Sequence, residues 1–270
     1  MKRAAAPAKI NLALVVGPRR PDGLHEVLTI YQRIALADRI VVKRSAELLV
    51  DGFPADTLVR RALERATDGE GTTFAARIQK RIPVAAGLGG GSSDAATALR
   101  LANELREEPE SPTALRAHAR ELGADVPFFL EDGPQLGSGD GSELSPIELP
   151  QDYWILLVSP RGTEKGSTRN VYDMFDARRG EDGFAERRQT LLALLDSMRR
   201  PRDLAALPPN DLASSPFADQ LRKLGAFRAD VTGAGPVVYG LFLHGAQARD
   251  AQKRMSPFGR TWLTTPAWYR

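Results

Sequence analysis

The run Gly87-Leu88-Gly89-Gly90-Gly91-Ser92-Ser93 carries the clearest chemical signal in this chain. Four glycines within five positions are expensive to order, at roughly 0.5–1 kcal/mol each relative to alanine. The chain must therefore need bare backbone there. A phosphate chain has that need, because it is gripped by close N–H donors and by the N-terminus of a helix. Ser92 and Ser93 add hydroxyls that could bond a phosphate or a metal-bound oxygen. Neither common phosphate fingerprint fits. Ser92 stands where G-x-x-x-x-G-K-[ST] requires lysine, and the last glycine of G-x-G-x-x-G, counted from Gly87, falls on Ser92. A flexible strand-to-helix turn is the bland alternative. The strand expected before the run and the helix expected directly after it favour phosphate.

Two further positions carry groups suited to proton and charge handling. Lys9 and Asn11 lie two apart in a stretch that reads as a strand, so they share one face, while Ile10, Leu12 and Leu14 share the other. On residue types alone, a solvent-facing pair at a strand start is the simpler reading, since charged side chains usually sit in water. Asp125 follows Gly123 and precedes the apolar run Val126-Pro127-Phe128-Phe129-Leu130. Desolvation there would raise its pKa and a nearby lysine would lower it. A turn-forming aspartate fits the same position. The other histidines, His118 on a helix and His244 at a strand end, read as surface or structural groups.

These residues must be positioned by a mixture of strands and helices. The hydrophobic pattern predicts strands over 9–17, 26–34, 39–43, 72–79, 153–158 and 237–243. It predicts helices from Asp56 or Thr57 to Thr67, from Ser93 to about Leu105, from Pro112 to Gly123, over 184–200 and over 246–255. Asp94 is expected in the first turn of its helix, where a carboxylate suits the dipole. Ser111-Pro112 reads as an N-cap followed by proline at the first helical position. Residues 133–143, rich in Gly and Ser, read as a loop. Without a steady βαβ rhythm the class is α+β, with a soft boundary near 150 that divides the chain into 1–150 and 151–270.

Composition narrows the function classes. The chain has 270 residues with 42% apolar content, enough for a real core. There is no cysteine, so disulfides and thiolate metal sites are excluded and a cytoplasmic protein is expected. Leu12 to Val16 is too short for a secretory core, so no signal peptide is expected, and no stretch approaches the roughly 20 apolar residues of a membrane span. Thirty-seven basic residues against 34 acidic ones give a net charge of +3, and the arginines are scattered among acids. No nucleic-acid partner and no membrane partner are expected.

Taken in order along the chain, three segments resemble the motifs of the GHMP kinases, named for galactokinase, homoserine kinase, mevalonate kinase and phosphomevalonate kinase. They are Ala6-Pro7-Ala8-Lys9-Ile10-Asn11-Leu12, then Pro83 to Ala96, then Val231-Thr232-Gly233-Ala234-Gly235-Pro236. Within that superfamily, four features are most similar to the branch that phosphorylates the 2-hydroxyl of 4-diphosphocytidyl-2-C-methyl-D-erythritol in non-mevalonate isoprenoid precursor biosynthesis. These are Pro-Ala-Lys-Ile-Asn-Leu, the turn Arg20-Pro21-Asp22-Gly23-Leu24-His25, the triple glycine before Ser92-Ser93, and Leu122-Gly123-Ala124-Asp125-Val126-Pro127-Phe128-Phe129. Asn210-Asp211-Leu212 is also similar to a segment of that branch.

The resemblance implies a two-domain fold, with an N-terminal nucleotide domain (1–150), a C-terminal substrate domain (151–270) and a cleft between them. It implies ATP and Mg²⁺ as cofactors, and a small cytidine-diphosphate-linked polyol as substrate of a monomer or homodimer. Lys9 and Asp125 are implied to be catalytic. Lys80, Pro83, Gly87, Leu88, Gly89, Gly90, Gly91, Ser92 and Ser93 are implied to hold the nucleotide, with Lys80 near the adenine and Ser92 or Ser93 as the metal partner. Asn11, His25, Thr168, Tyr172, Gly233, Ala234 and Gly235 are implied to meet the substrate, with His25 reading the cytosine edge and Tyr172 stacking on the base. Leu24 departs from the tyrosine common before the histidine, Thr57 replaces a helix-start asparagine that often contacts adenine, and 161–166 fits the pattern poorly. Other readings stay open: a homoserine, mevalonate or sugar kinase of the same superfamily, or a non-catalytic nucleotide-binding module. A nicotinamide-dependent oxidoreductase fails on the loop spacing.

Overall fold

Two stretches rich in aliphatic and β-branched residues form long strands, β1 (Lys2–Arg19) and β2 (His25–Ser45). The sequence predicts two strands within the second stretch. The structure, a computed structural model describing residues 1–53, 57–67, 73–162 and 167–267, has one, because Ala35-Leu36-Ala37-Asp38 contains no glycine or proline to break it. The rest of the chain adds helices and short strands, and the class is α+β.

The chain divides into two compact units that are interleaved in sequence. The first holds Met1–Ala8, Leu36–Val84 and Gly89–Asp132, and the second holds Lys9–Ala35, Ala85–Leu88 and Gly133–Arg270. Residue 150 is not a point where the units change. The units follow packing between segments that are distant in sequence.

In the first unit, β3 (Leu49–Asp51) runs parallel to β4 (Thr73–Gln79), and β4 pairs antiparallel with β2 from Arg39↔Gln79 to Ser45↔Thr73. This register places Ile40, Val42, Phe74, Ala76 and Ile78 in one core with the helices α1 (Leu58–Ala66), α2 (Gly90–Asn103) and α3 (Pro112–Leu122). The alanine-rich α2 is buried from Ser93 to Leu99. Its small side chains let α1 and the sheet come close on all sides, so its pattern is not the one-sided stripe of a surface helix. Thr57 stands at the N-cap of α1 but its side chain makes no capping bond, and Asp56 lies outside the described residues. Ser111 does cap α3, its hydroxyl accepting from the Ala114 N–H at 3.2 Å. Helix α2 begins three residues before the expected start, so the glycines form its first turn and Asp94 falls in the second.

In the second unit, the N-terminal part of β2 pairs with β5 (Gln135–Ser138), which pairs with β6 (Glu143–Pro146). The stretch expected as a loop over 133–143 is thus largely a hairpin, whose turn holds Gly139 and Gly141. A second, antiparallel sheet has the order β10-β7-β9-β8, built from β7 (Trp154–Pro160), β8 (Arg228–Val231), β9 (Val238–Phe242) and β10 (Gly259–Thr264). Leu156, Val158, Val238 and Phe242 pack there with Leu221 of α6 (Pro216–Lys223) and Ala248 and Met255 of α7 (Gly245–Met255). Two more helices, α4 (Thr168–Ala177) and α5 (Phe184–Leu195), complete the unit. Helix α5 stops short of the expected 200. No helix among the described residues is long and apolar enough to cross a membrane.

Candidate active site

The first unit places the glycine run at the uncapped start of α2. Gly89 takes the left-handed conformation as N-cap (φ 66°) and provides no side-chain cap. The first intrahelical bond runs from the Ser93 N–H to the Gly89 carbonyl at 2.9 Å. The amides of Gly90, Gly91 and Ser92 therefore start the helix without intrahelical partners, at its positive end. A Cβ on Gly91 would meet only Leu58 Cδ1 at 3.5 Å, an ordinary contact. Protein packing does not require a glycine at 91. Ser92 is half-buried at this end, whereas Ser93 is fully buried and its hydroxyl has no hydrogen-bond partner among the described residues.

Behind this end lies a charged cluster that sequence reading missed, except for Lys80. The Lys80 Nζ donates to Asp38 Oδ2 at 2.5 Å and to Asp94 Oδ2 at 2.7 Å. The two aspartate side chains are 0% exposed and that of Lys80 16%. Asp38 also accepts from the backbone N–H groups of Arg81 and, at 2.8 Å, Ile82. Burial works against the Lys80 charge, but the attraction of Asp94 and the hydrogen bonds to both carboxylates outweigh it, and its pKa ends above the ordinary lysine value. Asp94 thus answers an ammonium rather than the helix dipole, in correction of the first-turn expectation. Its only advance signal was an acid at a buried helical position.

Asp125 lies in the same unit, half-buried in the turn that leads from α3 into a 3-10 helix over Pro127–Leu130. The Val126 N–H donates to the Gly123 carbonyl at 3.0 Å and closes that turn. Pro83 is half-buried ahead of the glycine run.

In the second unit Lys9 and Asn11 do not face solvent; each is 4% exposed. The whole of β1 from Ala6 to Gly17 is buried, so both its faces are covered. The Lys9 Nζ donates to Asn11 Oδ1 at 2.7 Å, the Asn11 amide donates to Thr29 Oγ1 at 2.8 Å, and Thr29 donates to the Ala13 carbonyl at 2.8 Å. The Lys9 ammonium also lies 5.3 Å from the centre of the Tyr31 ring, within cation–π range. A buried cation so supported is placed for electrostatic work rather than for solubility.

The second unit also joins residues of all three family motifs. Gly87 has φ 76°, and a Cβ there would stand 2.3 Å from the Thr232 carbonyl oxygen and 3.2 Å from that of Gly235. Gly87 is therefore needed for packing against the Thr232–Gly235 turn, a role distinct from that of Gly91. Thr232, fully buried, accepts from the Asn11 N–H at 3.1 Å and donates to the Gly87 carbonyl at 3.3 Å. The Leu88 carbonyl accepts from the Lys9 N–H at 3.0 Å. Asn210 donates to the carbonyls of Val231 at 2.9 Å and Gly233 at 2.7 Å, which fixes the turn. Thr29, Thr232 and Asn210 act here as supports for the expected site residues.

His25 is the first residue of β2 rather than part of the preceding turn, and it is 7% exposed. Its Nδ1 lies 2.9 Å from the Gly17 carbonyl, which only accepts, so Nδ1 carries the hydrogen. Its Nε2 lies 3.2 Å from Asp176 Oδ1, near enough for an ion pair but not aligned as a hydrogen bond. Tyr172 stacks on the imidazole, with ring centres 5.0 Å apart and planes at 27°, and Phe175 meets it edge-on at 5.7 Å. Tyr172 and Ala234 both pack on a small core of Leu14, Val16, Val27, Phe175 and Leu212. Thr168 stands exposed at the first position of α4, one turn before Tyr172 and on the same side of the helix.

The described residues contain no group of three or more His, Asp or Glu side chains that could hold a metal ion. That donor set does not fit a metal held by protein alone. It fits Mg²⁺ arriving on nucleotide phosphates, since this ion keeps waters and needs few protein ligands.

Known proteins with these features agree with one another. The GHMP kinases N terminal domain matches residues 57–133. A 4-diphosphocytidyl-2-C-methyl-D-erythritol kinase of Anaeromyxobacter sp. (strain Fw109-5) is 39% identical over 254 residues, covering 88% of this chain and 81% of that protein. A crystal structure of 4-(cytidine 5'-diphospho)-2C-methyl-D-erythritol kinase is 31% identical with a TM-score of 0.78, over 98% of this chain and all of that one. A mevalonate kinase crystal structure has a TM-score of 0.73 over the full length of both chains but only 14% identity, which is a likeness of fold alone. With 39% identity carried over most of both sequences, the chain belongs to the 4-diphosphocytidyl-2-C-methyl-D-erythritol kinase family of the GHMP kinases.

Proposed function

We propose that this chain transfers the γ-phosphoryl group of ATP to the 2-hydroxyl of 4-diphosphocytidyl-2-C-methyl-D-erythritol. The observation that carries the reading is the uncapped start of α2 at Gly90, Gly91 and Ser92, with a glycine at 91 that packing leaves optional. Those amides bind and orient the phosphates. When bound with the nucleotide near Ser92, Mg²⁺ neutralises phosphate charge. Asp125 accepts the proton of the attacking hydroxyl. Lys9, held by Asn11 and the Tyr31 ring, stabilises the negative charge that develops. Phosphoryl transfer depends chiefly on this kind of positioning and charge stabilisation.

The residues proposed to handle substrate, namely Asn11, His25, Thr168, Tyr172 and Gly233 to Gly235, all lie in the second unit. Tyr172 supplies an aromatic ring of the kind that stacks on a pyrimidine, and His25, whose ring nitrogens face Gly17 and Asp176, backs that ring by stacking on it. Lys80, Pro83 and Gly89 to Ser93 lie in the first unit. The functional division thus follows the packed units, except that Gly87 and Leu88 belong to the second.

The test is an ADP-release assay with the cytidyl substrate, mevalonate and homoserine side by side. Turnover is expected with the cytidyl substrate alone, and saturation by mevalonate would overturn the assignment. Asp125→Asn is expected to fold normally and lose about 10²–10⁴-fold in kcat, equivalent to about 3–5 kcal/mol of barrier. Near-wild-type turnover in that variant would reject Asp125 as the base.

A further inference from the structure

Lys80 stands one residue ahead of the segment that enters the glycine run, and Asp94 stands one turn inside the helix that leaves it. Asp38, from the middle of β2, joins the two. Its carboxylate takes the N–H groups of Arg81 and Ile82 and the Lys80 ammonium, while that ammonium also holds Asp94. Two carboxylates share this one ammonium, and all three groups are largely withdrawn from water. Two buried like charges repel strongly unless a cation lies between them. Lys80 therefore holds together a contact that would otherwise push the end of β4 away from α2. The first turn of α2 rests on this cluster, because a Cβ on Gly90 would lie 3.1 Å from Ile82 Cγ2 and 3.4 Å from the Lys80 Nζ. Phe53 closes another side, its ring centre 5.7 Å from the ammonium.

We propose that Asp38, Lys80 and Asp94 form a clasp that aims the amide end of α2 at the nucleotide phosphates, so that all three are positioning residues for ATP. The proposal rests on the reading of that helix start as the phosphate grip. It differs from a direct contact between Lys80 and the base, in which the aspartates would be dispensable for nucleotide binding. Among the described residues the ammonium already gives two of its three donors to carboxylates, and such charge-assisted bonds are the strong ones.

The test is a set of single and double variants in the full chain: Asp38→Asn, Asp94→Asn, Lys80→Met, Lys80→Arg, and Lys80→Met with Asp94→Asn. Binding of a fluorescent ATP analogue is measured without the second substrate, alongside KM for ATP, KM for the cytidyl substrate, kcat and the melting temperature. Asp38→Asn and Asp94→Asn are expected to weaken ATP by about 10-fold or more, because a helix start displaced by an ångström loses its geometry. The KM for the cytidyl substrate is expected to stay within about 3-fold of wild type, as it would not for a general loss of fold. The double variant is expected to be no worse than Lys80→Met alone, since both changes break one device. Lys80→Arg is expected to recover part of the ATP affinity. If the aspartate variants bind ATP like wild type while Lys80→Met does not, Lys80 acts by direct contact and the clasp is rejected. Equal losses for both substrates in step with melting temperature would also reject it. Should Lys80→Met not fold, the isosteric Asp94→Asn decides by the same criteria. A wild-type protein that binds the analogue but leaves the cytidyl substrate unphosphorylated would fail the functional reading alone, and the clasp would still be judged on analogue affinity.

Discussion

At the scale of single residues, glycines in one motif do different work. Gly91 is bare where its own protein would tolerate a methyl group, and Gly87 is bare because the Thr232 carbonyl leaves no room. The two should therefore respond oppositely to alanine. Gly91→Ala is expected to leave stability unchanged or raise it by up to about 1 kcal/mol, the helix propensity difference, while KM for ATP rises. Gly87→Ala is expected to destabilise by more than about 1 kcal/mol, from a left-handed conformation and a 2.3 Å approach to backbone. Thermal melts paired with ATP titrations check both. If Gly91→Ala binds ATP normally, that position does not face the phosphates. The sequence alone made the run a phosphate candidate but treated its glycines alike, because the distinction depends on Thr232, which lies 145 positions away from Gly87. Lys9 was legible as a polar residue on a strand. Its burial was not, since period-2 alternation reports one covered face and β1 has both covered.

At the scale of elements, a cap did not by itself make a helix legible, since α4 and α6 carry serine caps and were not predicted. Helix α3 appears where Ser111, Pro112 and Gly123 place it. Helix α2 was found but started too late, because glycine at a helix start looks like loop in sequence. Helix α4 and strands β5, β6, β8 and β10 escaped, being short and held by partners distant in sequence, as β10 is by β7. The ends of β4 and α2 meet through Lys80, which gives this part of the fold a pH signature. The pKa of Lys80 is raised in the folded protein, so its charge stabilises fully below the unfolded lysine value of about 10.4. That contribution is lost as pH rises through the higher folded value. Above about pH 10, the melting temperature of wild type is expected to fall more steeply than that of Asp94→Asn, which lacks one of the carboxylates that raise the pKa. Parallel slopes would mean that Lys80 does not contribute in this way.

At the scale of the whole molecule, the class and the family were legible because three motifs occur in order. The partition of the chain into packed units was not, because the units exchange chain segments at residues 8, 35, 84, 88 and 132, an interleaving set by contacts between residues distant in sequence. The second unit depends on early residues: Thr29 to Tyr31 pair with β5, the Ala35 N–H bonds the Thr265 carbonyl, and Leu14, Val16 and Val27 pack with Phe175 and Leu212. A fragment of residues 151–270 lacks all of these. It is expected to show no cooperative thermal transition by circular dichroism, and a sharp melt would mean that this half of the sequence is self-sufficient.

The interleaving also bears on how such a protein can change over generations. A single crossover between two related genes inherits everything on one side of the cut, so no one cut can replace either packed body intact. Chimaeras joined near the middle would mix pieces of both bodies, and Lys9 would come from one parent with Tyr172 from the other. Exchange of a ready-made half by one crossover is thus ruled out, which leaves point changes as the simpler route to altered binding.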